Sequence, residues 1–409
     1  MTNSTLSRRD LLIRASALGC SAAASPLLTP ISLAATPSDQ RLVVIILRGG
    51  MDGLDVVQPV GDKGFGKLRP TLSKASKNAK PLTGMFALHP ALAPLMPLWK
   101  SEQLAFAHAV STPYRDKRSH FAGQDILEAG TAGVDNGGVR GGWLNRLLQT
   151  IPDADYQTAY SVGREEMLVL KGKADVSSWA PDARMDISDP TKLLLGLTYQ
   201  DDPLFMSSLD DAFDLTTSLE GYAEMPSDLS PTEAMQFAQT QAKKMSGYKN
   251  IAAFTAARLR EETRIASFSI TGWDTHRNQA GSLKRALGNL SDVILKLQQD
   301  LGPVWDKTTI IAMTEFGRTA RENGTQGTDH GTGGLSVMAG GALRGGKVYG
   351  DWPGLKDADL YQGRDLMPTQ DVRAYAAMAM RGLFGTSVST LEQQVFPGLD
   401  LKGAAGIIS

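Results

Sequence analysis

Seven consecutive residues, Arg41-Leu42-Val43-Val44-Ile45-Ile46-Leu47, form a continuous run rich in β-branched side chains that stops at Gly49-Gly50. Such a run is a strand buried on both faces, as in a parallel sheet covered by helices. Leu104 to Val110, Ile265 to Ile270, Thr308 to Thr314 and Leu335 to Ala339 read as further strands. Helical stretches lie between or after them. One is around Ala91 to Lys100. Another spans Ser282 to Leu301, with Leu283, Leu287, Leu290, Ile294 and Leu297 on one stripe. A third runs from Asp371 to Phe384. The alternation predicts an α/β fold with a mostly parallel central sheet flanked by helices and right-handed crossovers. Residues 141–262 read differently: helix-rich, rich in turn clusters and without strong buried strands. They are expected to form an insertion packed over the carboxyl edge of the sheet, as a cap.

The N-terminus reads as an address. Ser7-Arg8-Arg9-Asp10-Leu11-Leu12 is a twin-arginine pattern, followed by a mildly apolar run and the small-x-small site Ser32-Leu33-Ala34. Residues 1–34 are therefore predicted to be a signal peptide and 35–409 the mature domain. The expected partner in transit is the twin-arginine export machinery, and the destination is periplasmic or otherwise exported. The apolar run is too short and broken to span a bilayer, and no later segment reaches spanning length. Cys20, the only cysteine, lies in the signal, where Ala17-Leu18-Gly19-Cys20 loosely resembles a lipoprotein box. Cleavage after Ala34 leaves no disulfide and no thiolate chemistry.

The chain carries 42 basic and 43 acidic side chains, a net charge of −1. This near balance gives no electrostatic case for a nucleic-acid partner. A content of 42% hydrophobic and 21% charged residues suits a globular core.

Four short motifs sit where predicted strands end, and open α/β sheets build their sites there. Only 5 histidines occur in 409 residues, and three of them fall in these motifs beside carboxylates. Asp52, in Gly49-Gly50-Met51-Asp52, is either a metal carboxylate or a helix cap. Ser119, before His120, opens a helix, where it is either a nucleophile placed for an anionic intermediate or an N-cap. Asp274 and His276, in Gly272-Trp273-Asp274-Thr275-His276, are two apart in extended chain and can reach one ion; the alternative is a polar turn. Glu315 ends its strand. Arg318 is placed either to orient an anionic ester or to form a structural ion pair with Glu315 or Asp329. Asp329-His330 lies in the glycine-rich loop Gly327 to Gly334, a composition that serves a site more often than a core. His89 reads as structural and His108 as a residue behind the ligands. Carboxylates and imidazoles together point to a divalent metal, one or two ions, with zinc the first choice and manganese, iron or calcium permitted.

These motifs also carry a resemblance. The twin-arginine start, Leu-Arg-Gly-Gly-Met-Asp-Gly-Leu, Leu88-His89-Pro90-Ala91-Leu92, Arg118-Ser119-His120-Phe121, Gly272-Trp273-Asp274-Thr275-His276, Thr314-Glu315-Phe316-Gly317-Arg318 and Gly327-Thr328-Asp329-His330-Gly331 resemble a large bacterial family. It comprises exported proteins of unknown function grouped with the alkaline phosphatase and sulfatase superfamily. The resemblance implies an alkaline phosphatase-like fold and a two-metal site with a hydroxyl nucleophile. Asp52 matches the first-strand metal carboxylate, Ser119 the nucleophile, Asp274 and His276 the pair on one ion, and His330 that ion's last histidine. It departs from the superfamily at two places. The gap from Asp to His is two residues instead of four, and Glu315-Phe316 stands where Asp-His is usual, so one imidazole of the second ion is missing. His120 or Asp329 is available to substitute. The function so implied is an exported metal-dependent hydrolase of a phosphate or sulfate ester, small-molecule or glycan, acting through Ser119 with Arg318. The alternative is a catalytically degenerate binding protein for a glycan, peptide or partner protein.

Overall fold

β1 (Arg41–Arg48) lies inside a nine-stranded sheet because it is apolar on both faces. Val43, Ile45 and Leu47 enter one core cluster; Leu42, Val44 and Ile46 enter the other. That division follows the two-residue period of a strand. The structure is a computed structural model that describes residues 39–75, 78–115, 118–133, 141–163, 167–180 and 247–409. The signal expected at 1–34, Cys20, and residues 181–246 of the expected insertion lie outside the described residues.

After β1 come β2 (Leu104–Ser111), α1 (His120–Ala129), α2 (Trp143–Leu148), β3 (Ala159–Val162), β4 (Ser177–Trp179) and α3 (Gly247–Leu259). Then follow β5 (Ile265–Thr271), α4 (Gln279–Leu301), β6 (Thr308–Met313), β7 (Gly334–Ala339), β8 (Lys347–Tyr349), β9 (Gln370–Asp371) and α5 (Val372–Phe384). The strand order is β8-β2-β7-β6-β1-β5-β3-β4, with β9 beside β2. Every pairing is parallel except the two made by β7. The fold is thus a mixed, mostly parallel sheet, with α4 packed into the core on one face and α5 on the other.

Three segments differ from the sequence reading. The described part of 141–262 contributes β3 and β4, which extend the sheet beyond β5. These strands of four and three residues are too short to announce themselves as apolar runs. The helix expected from Ala91 to Lys100 is a 3₁₀ segment, Pro90–Leu95, leading into a short α-helix, Met96–Lys100. Pro94 and Pro97 each remove a backbone donor there. α4 begins at Gln279 and not at Ser282. Among the described residues no helix is long and apolar enough to cross a membrane.

His108, expected behind the ligands, is instead a core residue of β2 and 2% exposed. Its Nδ1 accepts from the Ala109 N–H at 2.9 Å, so its Nε2 donates to the Val57 carbonyl, also at 2.9 Å. Its ring stacks on Phe86. Burial pushes its pKa down to about 4. The unfolded chain, with the ordinary value near 6.5, therefore takes up this proton first as pH falls. Stability is lost between pH 6.5 and 4, by about 1.4 kcal/mol per pH unit from this group. In urea unfolding, the wild-type chain should lose roughly 2 kcal/mol more between pH 7 and 5 than His108→Gln does. Equal losses in the two proteins would overturn this.

Candidate metal centre

Because β7 alone runs backwards, the chain leaving β6 at Thr314 and entering β7 at Gly334 turns at the same edge where β1, β2 and β5 end. The carboxyl ends of four parallel strands and the loop between residues 314 and 334 thus share one rim, where ligands bind in open α/β sheets.

Arg318 binds that rim together from inside. It is 1% exposed. Nε donates to the Gly50 carbonyl at 2.7 Å and Nη1 to Thr328 at 3.0 Å. Nη2 donates to the carbonyls of Gly49 and Trp273, at 2.6 and 3.1 Å, and to Asp274 Oδ1 at 2.5 Å. The loops it joins meet backbone to backbone. A Cβ on Gly317 would lie 1.9 Å from the Gly333 carbonyl oxygen, and one on Gly327 would lie 2.3 Å from the His276 carbonyl carbon. Close approach, rather than loop flexibility, is what these glycines provide.

Asp274, His276, His330 and His120 converge on the rim. His120, Asp274 and His330 each offer an atom within 4.8 Å of the others. His276 Nε2 lies 2.9 Å from His330 Nε2 and 3.1 Å from Asp274 Oδ1. His330 Nε2 is 3.3 Å from the same oxygen, and His120 Nε2 is 3.5 Å from Asp274 Oδ2. Each imidazole is held from behind. Nδ1 of His120 meets Glu315 Oε1 at 2.8 Å, Nδ1 of His276 meets Asp329 Oδ1 at 3.1 Å, and Nδ1 of His330 meets the Arg118 carbonyl at 2.8 Å.

Those acceptors suit a proton on each Nδ1, which leaves each Nε2 available as a ligand when the imidazole is neutral. The Nε2 atoms of His276 and His330 and one carboxylate oxygen of Asp274 thus lie at about hydrogen-bond distance from one another. The Nε2 of His120 is buried with no hydrogen-bond partner among the described residues. Such an arrangement can hold a cation. Four ligands about 2.0–2.1 Å from a tetrahedral zinc are about 3.3–3.4 Å apart, close to the separations seen. Carboxylates and carbonyls behind ligating imidazoles are the usual supports of metal sites.

The local charges act on His120 and His330 in opposite directions. The bond to Glu315 raises the His120 pKa against the effect of burial. Burial lowers that of His330, which favours the neutral, ligating form. Burial pushes Asp274 up, but Arg318 and then His276 and His120 outweigh it and leave the carboxyl below its usual range. Glu315 is likewise pushed up by burial and brought below its usual value by His120, Gln124 and the Gly49 N–H.

Three expected site residues have other partners. Asp52 is 1% exposed and bound bidentately by Arg69 at 2.6 and 3.0 Å, with Gln279 Nε2 on the same carboxylate. It is not among the converging ligand atoms. Glu315 stands behind His120 as its support. Arg318 has its guanidinium bound to carbonyls and Asp274, so it positions a ligand and is not open to an ester. Ser119 is the N-cap residue of α1, yet its side chain makes no capping bond. Sequence reasoning missed Arg69 and Gln279. Gln279 donates to Asp52 and Asp55 and accepts from Thr275 and Thr328 at 2.9 and 2.6 Å, so it ties both ligand loops to the Asp52 pair. No local pattern around either residue signals this, because Asp52 lies 17 residues from Arg69 and, apart from Thr275, the partners of Gln279 lie 49 or more residues away.

Residues 93–380 match the profile of a family described as a protein of unknown function, DUF1501. The chain belongs to that family. None of the curated proteins compared with the chain matches it. Among solved structures, it is similar to a protein in the alkaline phosphatase superfamily from Vibrio parahaemolyticus, at 13% identity and a TM-score of 0.34, over 74% of this chain and 62% of that one. A His-to-Glu mutant of the TAB5 alkaline phosphatase with Mg bound in its M3 site aligns at 10% identity and a TM-score of 0.33, over 74% and 91% of the two chains. BT1596, a 2-O GAG sulfatase, aligns at 9% identity and a TM-score of 0.34, over 76% and 66%. The chain thus spans just under two thirds of the first and third of these proteins.

Replacing Arg318 by Lys keeps the charge but cannot reach this fan of acceptors. Arg318→Lys should lower unfolding stability by about 3 kcal/mol or more, since it strands several buried carbonyls. A denaturation midpoint equal to wild type would show that the guanidinium does not hold the rim.

Proposed function

We propose that the chain is an exported metal-dependent hydrolase of a phosphate or sulfate ester, with one divalent ion on His120, Asp274, His276 and His330 and with Ser119 as nucleophile. The observation that carries it is the cluster of His120, Asp274 and His330 at the sheet's carboxyl edge, with His276 Nε2 beside Asp274 and His330. Zinc suits an imidazole-rich set with one carboxylate. A bound ion would supply Lewis-acid polarisation and lower the pKa of a hydroxyl beside it. The protein's own part is positional. Ser119 adjoins His120, its hydroxyl is not spent on capping, and it opens a ten-residue helix whose first N–H groups favour negative charge. Asp274 is fixed by Arg318, and the imidazoles are fixed in one tautomer by Glu315, Asp329 and the Arg118 carbonyl.

The test is metal analysis beside turnover. Purified without chelator, the wild-type chain should hold about one equivalent. Asp274→Ala and His276→Ala should lose it, while Asp52→Asn should keep it. Ser119→Ala should keep the metal and lose turnover of phosphate or sulfate esters by about a thousandfold or more. No metal in a folded wild-type protein would sink the reading.

A second reading, a binding protein on the same scaffold, draws on Phe316. Its buried ring lies 5.1 Å from both His120 and His330, where the superfamily pattern has an imidazole. Full metal occupancy with no turnover of either ester class would favour it.

Export is part of the proposal and rests on Arg8-Arg9. Changing both to Lys should leave the chain in the cytoplasm in cell fractionation; unchanged export would remove the twin-arginine route.

A further inference from the structure

Beside the imidazole cluster lies a cleft of about 220 Å³, lined among others by Arg321, Arg364, Asn323, Glu322 and Asp329. It has room for about seven waters at roughly 30 Å³ each, the scale of one charged substituent or one sugar ring. Asp329 joins the two sites, since its Oδ1 also meets His276 Nδ1.

The acceptors lining the cleft are largely committed. Both Glu322 oxygens accept from the Thr71 and Leu72 N–H groups at 2.9–3.0 Å. Asn323 Oδ1 accepts from the Thr325 and Gly327 N–H groups and from the Thr325 hydroxyl, all within 3.0 Å. Asn323 Nδ2 and His276 share Asp329 Oδ1. The donors are only partly committed. Arg321 is exposed, and its guanidinium has no hydrogen bond or ion pair with any described residue. Arg364 uses Nη1 on the His330 carbonyl and Asp365 Oδ1, at 2.9 and 2.7 Å, which leaves Nη2 and Nε open.

We propose that this cleft is an anion subsite, in which Arg321 and Arg364 bind a second oxyanion, a carboxylate, sulfate or phosphate, carried on the same substrate as the ester. Guanidinium donors match such planar or tetrahedral oxygens, and the Arg321 guanidinium and Nη2 and Nε of Arg364 have no other partner among the described residues. Arg364 also links the subsite to the centre, because it holds the carbonyl of His330. The substrate class is then a polyanionic ester and not a singly charged one. The identity of the reacting group rests on the ester-hydrolase reading; the cleft itself does not.

The test uses inorganic sulfate titrated into the whole protein with EDTA present, so that the imidazole cluster takes no part through a metal. Wild type should bind sulfate saturably. Arg321→Ala, an exposed change, should weaken binding about tenfold or more, while its metal content without chelator stays at the wild-type level. His120→Ala, which touches none of the cleft residues, should bind sulfate as wild type does. No saturable binding by wild type, equal affinity in Arg321→Ala, or loss in His120→Ala would each overturn the subsite; the last would assign the anion to the imidazole cluster. Failure of the metal reading looks different: a chain without metal that still binds sulfate through Arg321.

Discussion

One buried guanidinium organises the working edge of this protein. Strands that end together present their last carbonyls to one another, and several unpaired carbonyls at a crowded rim repel. Arg318 answers that repulsion with a planar fan of donors to Gly49, Gly50, Trp273 and Thr328, which come from three separate stretches of chain. Its charge is costly to bury, and the bond to Asp274 Oδ1 offsets that cost. The same bond sets the direction of the carboxylate around which the imidazoles gather. Glycines at 317, 327, 331 and 333 let the backbones close in; any side chain there would push the ligand loops apart.

A second buried network lies beneath the first. Asp52 and Arg69 form an ion pair with both side chains at 1% exposure or less. Gln279 spans from that pair to Thr275 and Thr328, using both its donors and its acceptor. Thr275 sits between Asp274 and His276, and Thr328 precedes Asp329 and His330. The spacing of the ligand loops is therefore fixed twice, by Arg318 at the rim and by Gln279 below it. Precise ligand placement of this kind needs supports as specific as the ligands themselves.

The strands that carry the site were legible because they are long and apolar on both faces, and the motifs were legible because they follow those strands. β3 and β4 were not, being too short to show a pattern. Among the site residues, Asp274 and His276 lie together at the rim, the pair their spacing singles out, with His330 and His120 beside them. The roles of Asp52, Glu315 and Arg318 could not be read the same way. Sequence shows which side chains arrive at the rim, but a carboxylate at the rim can meet a cation of either kind. Asp52 meets Arg69, seventeen residues away, in a segment with no motif. Glu315 meets an imidazole proton, and Arg318 is consumed by carbonyls that carry no sequence signal at all.

The commitments of the remaining carboxylates bear on how many ions this rim can serve. Glu315 Oε1 already accepts from Gly49, His120 and Gln124, and its Oε2 accepts from Thr314. Asp52 is filled by Arg69 and Gln279. Phe316 packs against Tyr114, His120 and His330. In the metal-centre reading, the remaining ligand atoms are those of the three imidazoles and Asp274, a set suited to one ion. In the ester-hydrolase reading, the charge that a second ion would stabilise falls instead to the start of α1. There the backbone N–H groups of the first turn flank Ser119, and the Ser119 N–H is anchored by the Tyr114 hydroxyl at 2.9 Å. A helix terminus supplies weaker stabilisation than a divalent ion. An enzyme built this way therefore gains most from substrates that bring binding energy of their own to the neighbouring cleft.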